Sequence, residues 1–328
     1  MFVAVSQASL RYTMGVNMII TVTLNPAMDK TVIIPRFQMG NVNSIESKRM
    51  DVGGKGINVS KVIKKLGGES IALGIVGGNS GDEIKNYLDN EGIKQDFVHD
   101  KVETRVNIKV VDPINETYTD INEQGGPYHS TSYEMIEEKL HSIAKEGDIV
   151  ILSGSLPLGA DEKIYSKWIG YCNKKGIKTF LDVNGNLLKR VMNDQPYLIK
   201  PNNKELEVMC GRQLENITDY INVARDIIKG GVTKIVISLG EKGALYITKN
   251  KVLHGQGLKV NVNSTVGAGD SMVAAFALGE EKELSEEETF KLAIATSAAT
   301  VMAEGTKAPE YHDILKLLDK VTYKIVKE

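Results

Sequence analysis

Ser264-Thr265-Val266-Gly267-Ala268-Gly269-Asp270-Ser271 runs directly into Met272-Val273-Ala274-Ala275-Phe276-Ala277-Leu278-Gly279, a loop of small residues opening an apolar helix. Small side chains let backbone N–H groups approach an anion, and a helix N-terminus favours negative charge there by the equivalent of about half an elementary charge. Such a phosphate cradle belongs at the carboxyl end of a strand in a mostly parallel sheet. Asp270, in the first helical turn, has two readings: a residue that complements the helix dipole, or a base that takes a hydroxyl proton beside a bound anion.

Upstream, apolar runs alternate with helical periodicity. Met18 to Leu24 (MIITVTL) stops at Asn25-Pro26, and IALGIV (71–76), DIVILSG (148–154), KTFLDV (178–183), YLIKPN (197–202) and TKIVISLG (233–240) follow. Continuous apolar runs of this length suit strands buried on both faces, and helical patterns separate most of them. The spacing therefore predicts an α/β fold with a mostly parallel sheet. Two stretches, Thr31 to Asp51 and Thr104 to Glu123, alternate with a period of two and hold no helix, so they predict a small added sheet serving as a lid or a subunit contact. From Ala268 onward the chain reads as mainly helical, interrupted near 305–309.

Three further loops open toward strand ends. Val52-Gly53-Gly54-Lys55-Gly56-Ile57-Asn58 starts a helix, with a lysine able to meet a phosphate and an asparagine able to meet sugar hydroxyls. It is no Walker loop, because Gly56 follows Lys55 where Ser or Thr is required, and no strand-associated GxGxxG occurs. Lys200-Pro-Asn-Asn-Lys-Glu205 offers Asn202 and Glu205 either as a capping box or as oxygen donors to magnesium through water. Ser238-Leu-Gly-Glu-Lys-Gly243 is either a hairpin turn or a border for nucleotide phosphates.

Composition narrows the rest. The 328 residues are 42% hydrophobic and 25% charged, with 40 basic against 42 acidic side chains and a formal net charge of −2, so no nucleic-acid or anionic-membrane partner is expected. Ile149–Leu152 and Met272–Leu278 are far shorter than the roughly 20 residues of a membrane span. Cys172 and Cys210 make neither a disulfide framework nor a zinc site, which fits a cytoplasmic protein. The five histidines form no metal pair, and no G-x-S-x-G elbow appears. Residues 1–17 read as an extension preceding a domain of 18–328.

Together these stretches resemble the ribokinase-like (PfkB) family of sugar kinases from about Met18 to the end of the chain. GGKGIN at 53–58 is similar to the family's N-terminal glycine signature, with Val52 where Ala is usual. STVGAGDSMV at 264–273 is similar to its C-terminal ATP-site signature, with Ser264 in place of the usual Asp. TLNPAMD (23–29), ETRVNIKV (103–110), SGSLPLG (153–159) and KPNNKELE (200–207) look like the phosphosugar branch of that family.

The resemblance implies a three-layer α/β/α fold with a β-sheet lid and transfer of the γ-phosphoryl group of ATP to a phosphorylated ketohexose. The acceptor it implies first is the 6-hydroxyl of fructose 1-phosphate, and second tagatose 6-phosphate. It makes Asp270 the base, with Gly267, Ala268 and Gly269 as an anion hole. Asp29, Gly54 and Asn58 would meet the sugar, Lys55 and Arg105 its phosphate, with Asn107 and Ser155 as neighbours. Ser238, Gly240, Gly243 and Gly269 would border ATP, while Asn202 and Glu205 would hold Mg2+ through water. It also implies a homodimer formed through the lid. A silent sensor on the same fold is the alternative, against which intact Asp270, Lys55 and Glu205 argue.

Overall fold

The run beginning at Met18 forms β1 (Ile19–Thr23), all five residues of which are buried. The computed structural model describes residues 17–326, so the proposed extension lies, apart from Asn17, outside the described residues. After β1 come β2 (Ala27–Ile33), β3 (Ser47–Gly53), α1 (Lys55–Lys65), β4 (Ser70–Gly77), α2 (Gly78–Asn90), β5 (Lys94–Gln95), β6 (Val98–Asp100), β7 (Val106–Asp112) and β8 (Thr117–Ile121). The second half continues with α3 (Ser130–Ile143), β9 (Ile149–Ser153), α4 (Ile164–Lys174), β10 (Lys178–Asp182), α5 (Gly185–Val191), β11 (Leu198–Ile199), α6 (Asn203–Cys210) and α7 (Ile217–Lys229). It closes with β12 (Lys234–Ser238), β13 (Ala244–Thr248), β14 (Val252–Gly255), α8 (Ala268–Glu281), α9 (Glu286–Met302), α10 (Tyr311–Leu318) and β15 (Tyr323–Ile325).

The main sheet runs β15-β14-β13-β12-β11-β10-β9-β1-β4-β5, with β6 also on β4. Pairing is parallel from β4 through β12, where the apolar runs predict it. The antiparallel β13 to β15 extend the sheet beyond those runs. One face packs on Leu140 of α3, Trp168 of α4, Leu206 of α6 and Ile221 of α7. The other packs on Val59 of α1, Phe276 of α8, Phe290 of α9 and Ile314 of α10. These are the expected three layers. Residues 270–279 of α8 are buried on all sides between sheet and α9, which is why that stretch is apolar without a polar stripe.

From β1 the chain moves outward to β4 and β6, then returns to β9 on the other side of β1. The strand order therefore diverges at β1, and the crevice above its carboxyl end is where a parallel sheet receives ligands. A second, four-stranded sheet, β3-β2-β7-β8, leaves the main body there. Its strands begin at Ala27 and reach Gly53, wider than the alternating segment suggested, because Asn25-Pro26 turns the chain straight from β1 into β2. Met28 and Val52 at its base pack against Ile84 and Leu88 of α2, but its own buried apolar centre is only Val32, Ile34 and Val110. Among the described residues no helix is long and apolar enough to cross a membrane.

Candidate active site

Between the carboxyl edge of the main sheet and the small sheet lies an open cavity of about 1360 Å³. Three helix N-termini meet it, those of α8, α1 and α6. Gly267, at a left-handed φ of 82°, caps α8, leaving the N–H groups of Ala268, Gly269 and Asp270 without intrahelical acceptors and facing the cavity lining. Gly54, with φ at 115°, precedes α1; a Cβ there would lie 2.9 Å from Thr23 Cγ2 and 3.2 Å from Pro26 Cα, so only glycine fits both the backbone and the space.

Asp270 is 5% exposed, and its Oδ2 accepts from Asn58 Nδ2 at 2.8 Å. Burial, with the Asp182 carboxylate nearby, pushes its pKa up to about 6 against the pull of Lys55, Asn58 and Lys200. A carboxylate so placed is mostly ionised at neutral pH yet basic enough to accept a proton from an attacking hydroxyl.

Asp182 and Lys200, which the sequence reading did not single out, complete the charge set. Lys55 Nζ stands 3.0 Å and Lys200 Nζ 3.4 Å from Asp182 Oδ1. Burial opposes ionisation of Asp182, but the two ammonium groups overcome it and hold its pKa low. Lys55 is likewise penalised by burial, yet Asp182, Asp270 and Glu205 together raise its pKa. Asp182 Oδ2 is buried without a hydrogen-bond partner. Gly269 leaves room for this set, since a Cβ there would lie 2.8 Å from Lys200 Nζ. Along the sequence each shows only as a charged residue at the carboxyl end of a short apolar run, FLD and LIK.

Asn202 and Glu205 form the capping box of α6: Glu205 N donates to Asn202 Oδ1 and Asn202 N to Glu205 Oε2, each at 2.8 Å. Both residues also line the cavity, so the two readings coexist. Capping engages one Glu205 oxygen. The other, and the unpartnered Asp182 Oδ2, are oxygen donors lining the same cavity, the donor type that suits magnesium held through its water shell. Among the described residues no group of three or more His, Cys, Asp or Glu is placed to hold a metal ion by itself.

Ser238, Gly240 and Gly243 sit at the β12–β13 hairpin and line the same cavity, so the turn reading and the border reading again coincide. Beside them Leu258, Val260, Ile294, Ala298 and Val301 make an apolar slot at the α9 side that no sequence motif marked.

On the lid side, Asn107 Nδ2 donates to Asp29 Oδ1 at 2.9 Å, and burial raises the Asp29 pKa. Arg105 is largely committed to the fold. Its Nε donates to Pro26 O (3.3 Å), Nη2 to Asn25 O (3.1 Å), and Nη1 to Glu123 O (2.9 Å) and Asn107 Oδ1 (3.4 Å). Four of its five N–H groups are thus engaged, tying together the β1–β2 crossing and the segment after β8 where the chain leaves the lid. Ser155 is not brought to the cavity; its Oγ accepts from Asn25 Nδ2 at 3.0 Å, while the same amide reaches Gln124 O at 2.9 Å. The other site residues singled out by sequence line this one cavity.

Residues 22–313 match the family described as pfkB family carbohydrate kinase. The chain is 35% identical to a 1-phosphofructokinase of Borreliella burgdorferi, over 93% of this chain and 97% of that one. It is 34% identical to a 1-phosphofructokinase of Bacillus subtilis, over 93% and 98%. Among solved structures, phosphofructokinase-2 from Escherichia coli, in complex with substrates and products, superposes with a TM-score of 0.88 at 30% identity, covering 92% of this chain and 99% of that one.

Proposed function

Because the chain belongs to the pfkB family of carbohydrate kinases, we propose that it moves the γ-phosphoryl group of ATP to the 6-hydroxyl of fructose 1-phosphate, giving fructose 1,6-bisphosphate. The observation that carries the chemistry is a buried carboxylate, Asp270, in the first turn of α8, beside N–H groups that have no other acceptor. The acceptor follows from the 34–35% identity to 1-phosphofructokinases over nearly the whole chain.

In this mechanism closure of the lid excludes water, and Asp29, Asn58 and Asn107 hold sugar hydroxyls while Gly54 permits close approach. Asp270 takes the proton of the attacking hydroxyl. The Gly267–Gly269 turn and the following amides receive the charge on the transferring group, and Lys55, aligned by Asp182, lies beside it. The one uncommitted N–H of Arg105 would donate to the acceptor's phosphate. Ser238, Gly240 and Gly243 border ATP, with the base in the apolar slot at α9. Asn202, Glu205 and Asp182 would hold magnesium through water, and the ion, when bound, neutralises charge on the donor phosphates. Two free cysteines suit a cytoplasmic setting, which cell fractionation tests.

A coupled assay of ADP release across phosphorylated and plain ketohexoses tests the reading. Fructose 1-phosphate should give the highest kcat/KM and chelation should abolish turnover; preference for tagatose 6-phosphate would reassign the acceptor. In the same assay, Glu205→Gln should raise the magnesium requirement, and a titration that overlays the parent's would leave this residue a cap only.

The same reading includes a homodimer. Met50 (44% exposed) and Ile121 (53%) lie on the lid face opposite the cavity residues, and Val42 and Met39 of the adjoining loop are almost fully exposed. An apolar surface of this kind on so thin a sheet calls for a partner. Sedimentation should show dimers that Met50→Glu with Ile121→Glu converts to monomers; a parent that is monomeric at all working concentrations would reject this assembly.

A further inference from the structure

We infer that Lys61 is a positioning residue for phosphoryl transfer, its ammonium fixing Asn58 against Asp270 and the end of β3 against the turn after α9, an inference that rests on the kinase reading above. Lys61 lies one helical turn beyond Asn58 on α1 and is only 5% exposed. Its Nζ donates to Val52 O near the end of lid strand β3, to Asn58 Oδ1 at 3.4 Å and to Thr306 O at 3.4 Å. These are three neutral acceptors for the three N–H bonds of an ammonium. Asn58 and Thr306 line the cavity, so one side chain joins lid, α1 and the turn behind α9 at the rim of the site.

The orientation of Asn58 follows from what its neighbours can do. An ammonium only donates and an ionised carboxylate only accepts. Between the two, the amide turns Oδ1 to Lys61 and Nδ2 to Asp270, where it donates at 2.8 Å. With Lys61 removed, the Oδ1 of a residue only 7% exposed loses its donor, and the side chain gains by rotating away from Asp270 to find another.

A neutral amine cannot replace the ammonium. It brings two N–H bonds and a lone pair to the same three oxygens, so losing the proton leaves one acceptor unpaired. Burial drives toward that state, pushing the Lys61 pKa down to about 8 against the pull of Asp51, Asp29, Asp270 and Glu91. The packed elements face it with Asp29 on β2, Asp51 on β3, which is paired with Arg49, and Asp270 on α8. From α2 come the Tyr87 ring, 5.3 Å from Nζ, and Glu91 just beyond the helix. The turn after α9 presents Thr306 O, while its Glu304 is taken by Arg49 and Lys307. The free site therefore has an alkaline boundary near pH 8 set by Lys61, opposite the acidic one set by Asp270.

Steady-state kinetics from about pH 5 to pH 10, with urea unfolding at the same pH values, test this on the parent, Lys61→Arg and Lys61→Met. In the parent, kcat/KM for the preferred acceptor should fall above about pH 8. Lys61→Arg keeps the charge and the donors but does not titrate in this range, so its plateau should extend to the alkaline end. Lys61→Met should lower kcat/KM for the acceptor about 10- to 100-fold, leave the KM for ATP within about 3-fold and lack the alkaline limb. Its acidic limb should move above 6, because Asn58 no longer favours the ionised form of Asp270. Stability should run opposite to activity. The native pKa of Lys61 lies below the 10.5 of the unfolded chain, so above about pH 8 the unfolded state binds more protons and the parent gains stability relative to Lys61→Met. Should Lys61→Met fail to fold, the profiles of the parent and Lys61→Arg still decide. A parent flat to the alkaline end, a Lys61→Arg profile that keeps the parent's alkaline limb, or a destabilised Lys61→Met with both parental limbs would overturn the inference alone. A parent that transfers phosphoryl to no sugar would overturn the kinase reading and this inference with it.

Discussion

Asp270→Asn should lower turnover by roughly 100-fold or more while the KM for ATP stays within a few-fold, because the amide keeps the shape but cannot accept the hydroxyl proton. In the parent, kcat should rise with pH through about 6 and level off above it, following ionisation of Asp270; the variant's residual rate should lack that limb. The same substitution should stabilise the fold at neutral pH. The native pKa of Asp270 is raised above the 3.8 of the unfolded chain, so its favourable contribution is complete below about pH 4 and is lost as pH rises through about 6. Above that the native state carries a buried charge, and the gap between variant and parent should widen by on the order of 2 kcal/mol between pH 4 and pH 8. Urea unfolding at both pH values measures it. Near-parental turnover would return Asp270 to a helix-start residue, and a pH-independent stability gap would refute the raised pKa.

Asp182→Ala should be the most destabilising single change in the site. It strips Lys55 and Lys200 of their shared acceptor at a position 1% exposed, and removing one partner of a buried ion pair costs about 3–5 kcal/mol. Asp182→Asn, which keeps the volume, should lose less stability but still move the chemistry: without the Asp182 charge the pKa of Asp270 falls, so the acidic limb of the kcat profile should shift below 6. Chemical denaturation and the pH profile give independent readouts. A stability loss under about 1 kcal/mol would show that solvent already screens the lysines.

What the sequence makes legible here is whatever depends on neighbours along the chain. Asp270 follows a glycine turn, Asn202 stands three residues before Glu205, and the buried strands declare themselves as unbroken apolar runs. Asp182 and Lys200 escape because their significance arises only when β10 and β11 pair in parallel, bringing two strand ends side by side. Arg105 is conspicuous in ETRVNIKV, but nothing local tells that three carbonyls distant in sequence will occupy most of its guanidinium. Ser155 shows the converse: its motif is near the site, yet nothing local tells that Asn25 will donate to its hydroxyl oxygen. The edge strands β13 to β15 are missed because an antiparallel extension carries none of the strand-then-helix rhythm that reveals the parallel body.

The small apolar centre of the lid has a bearing on how such an enzyme changes over generations. With only Val32, Ile34 and Val110 in its own apolar centre, the small sheet adds little to the packing of the body beyond Met28 and Val52 at its base, while its cavity-lining polar residues occupy alternating positions on one of its surfaces. Mutational drift can therefore change the cavity lining at Thr31, Lys109 or Asp120 with small penalties to folding. The transfer machinery has no such latitude, because α8 is buried on every side and Asp182 is locked between two lysines. Divergence within this architecture is channelled toward what is phosphorylated, and away from how.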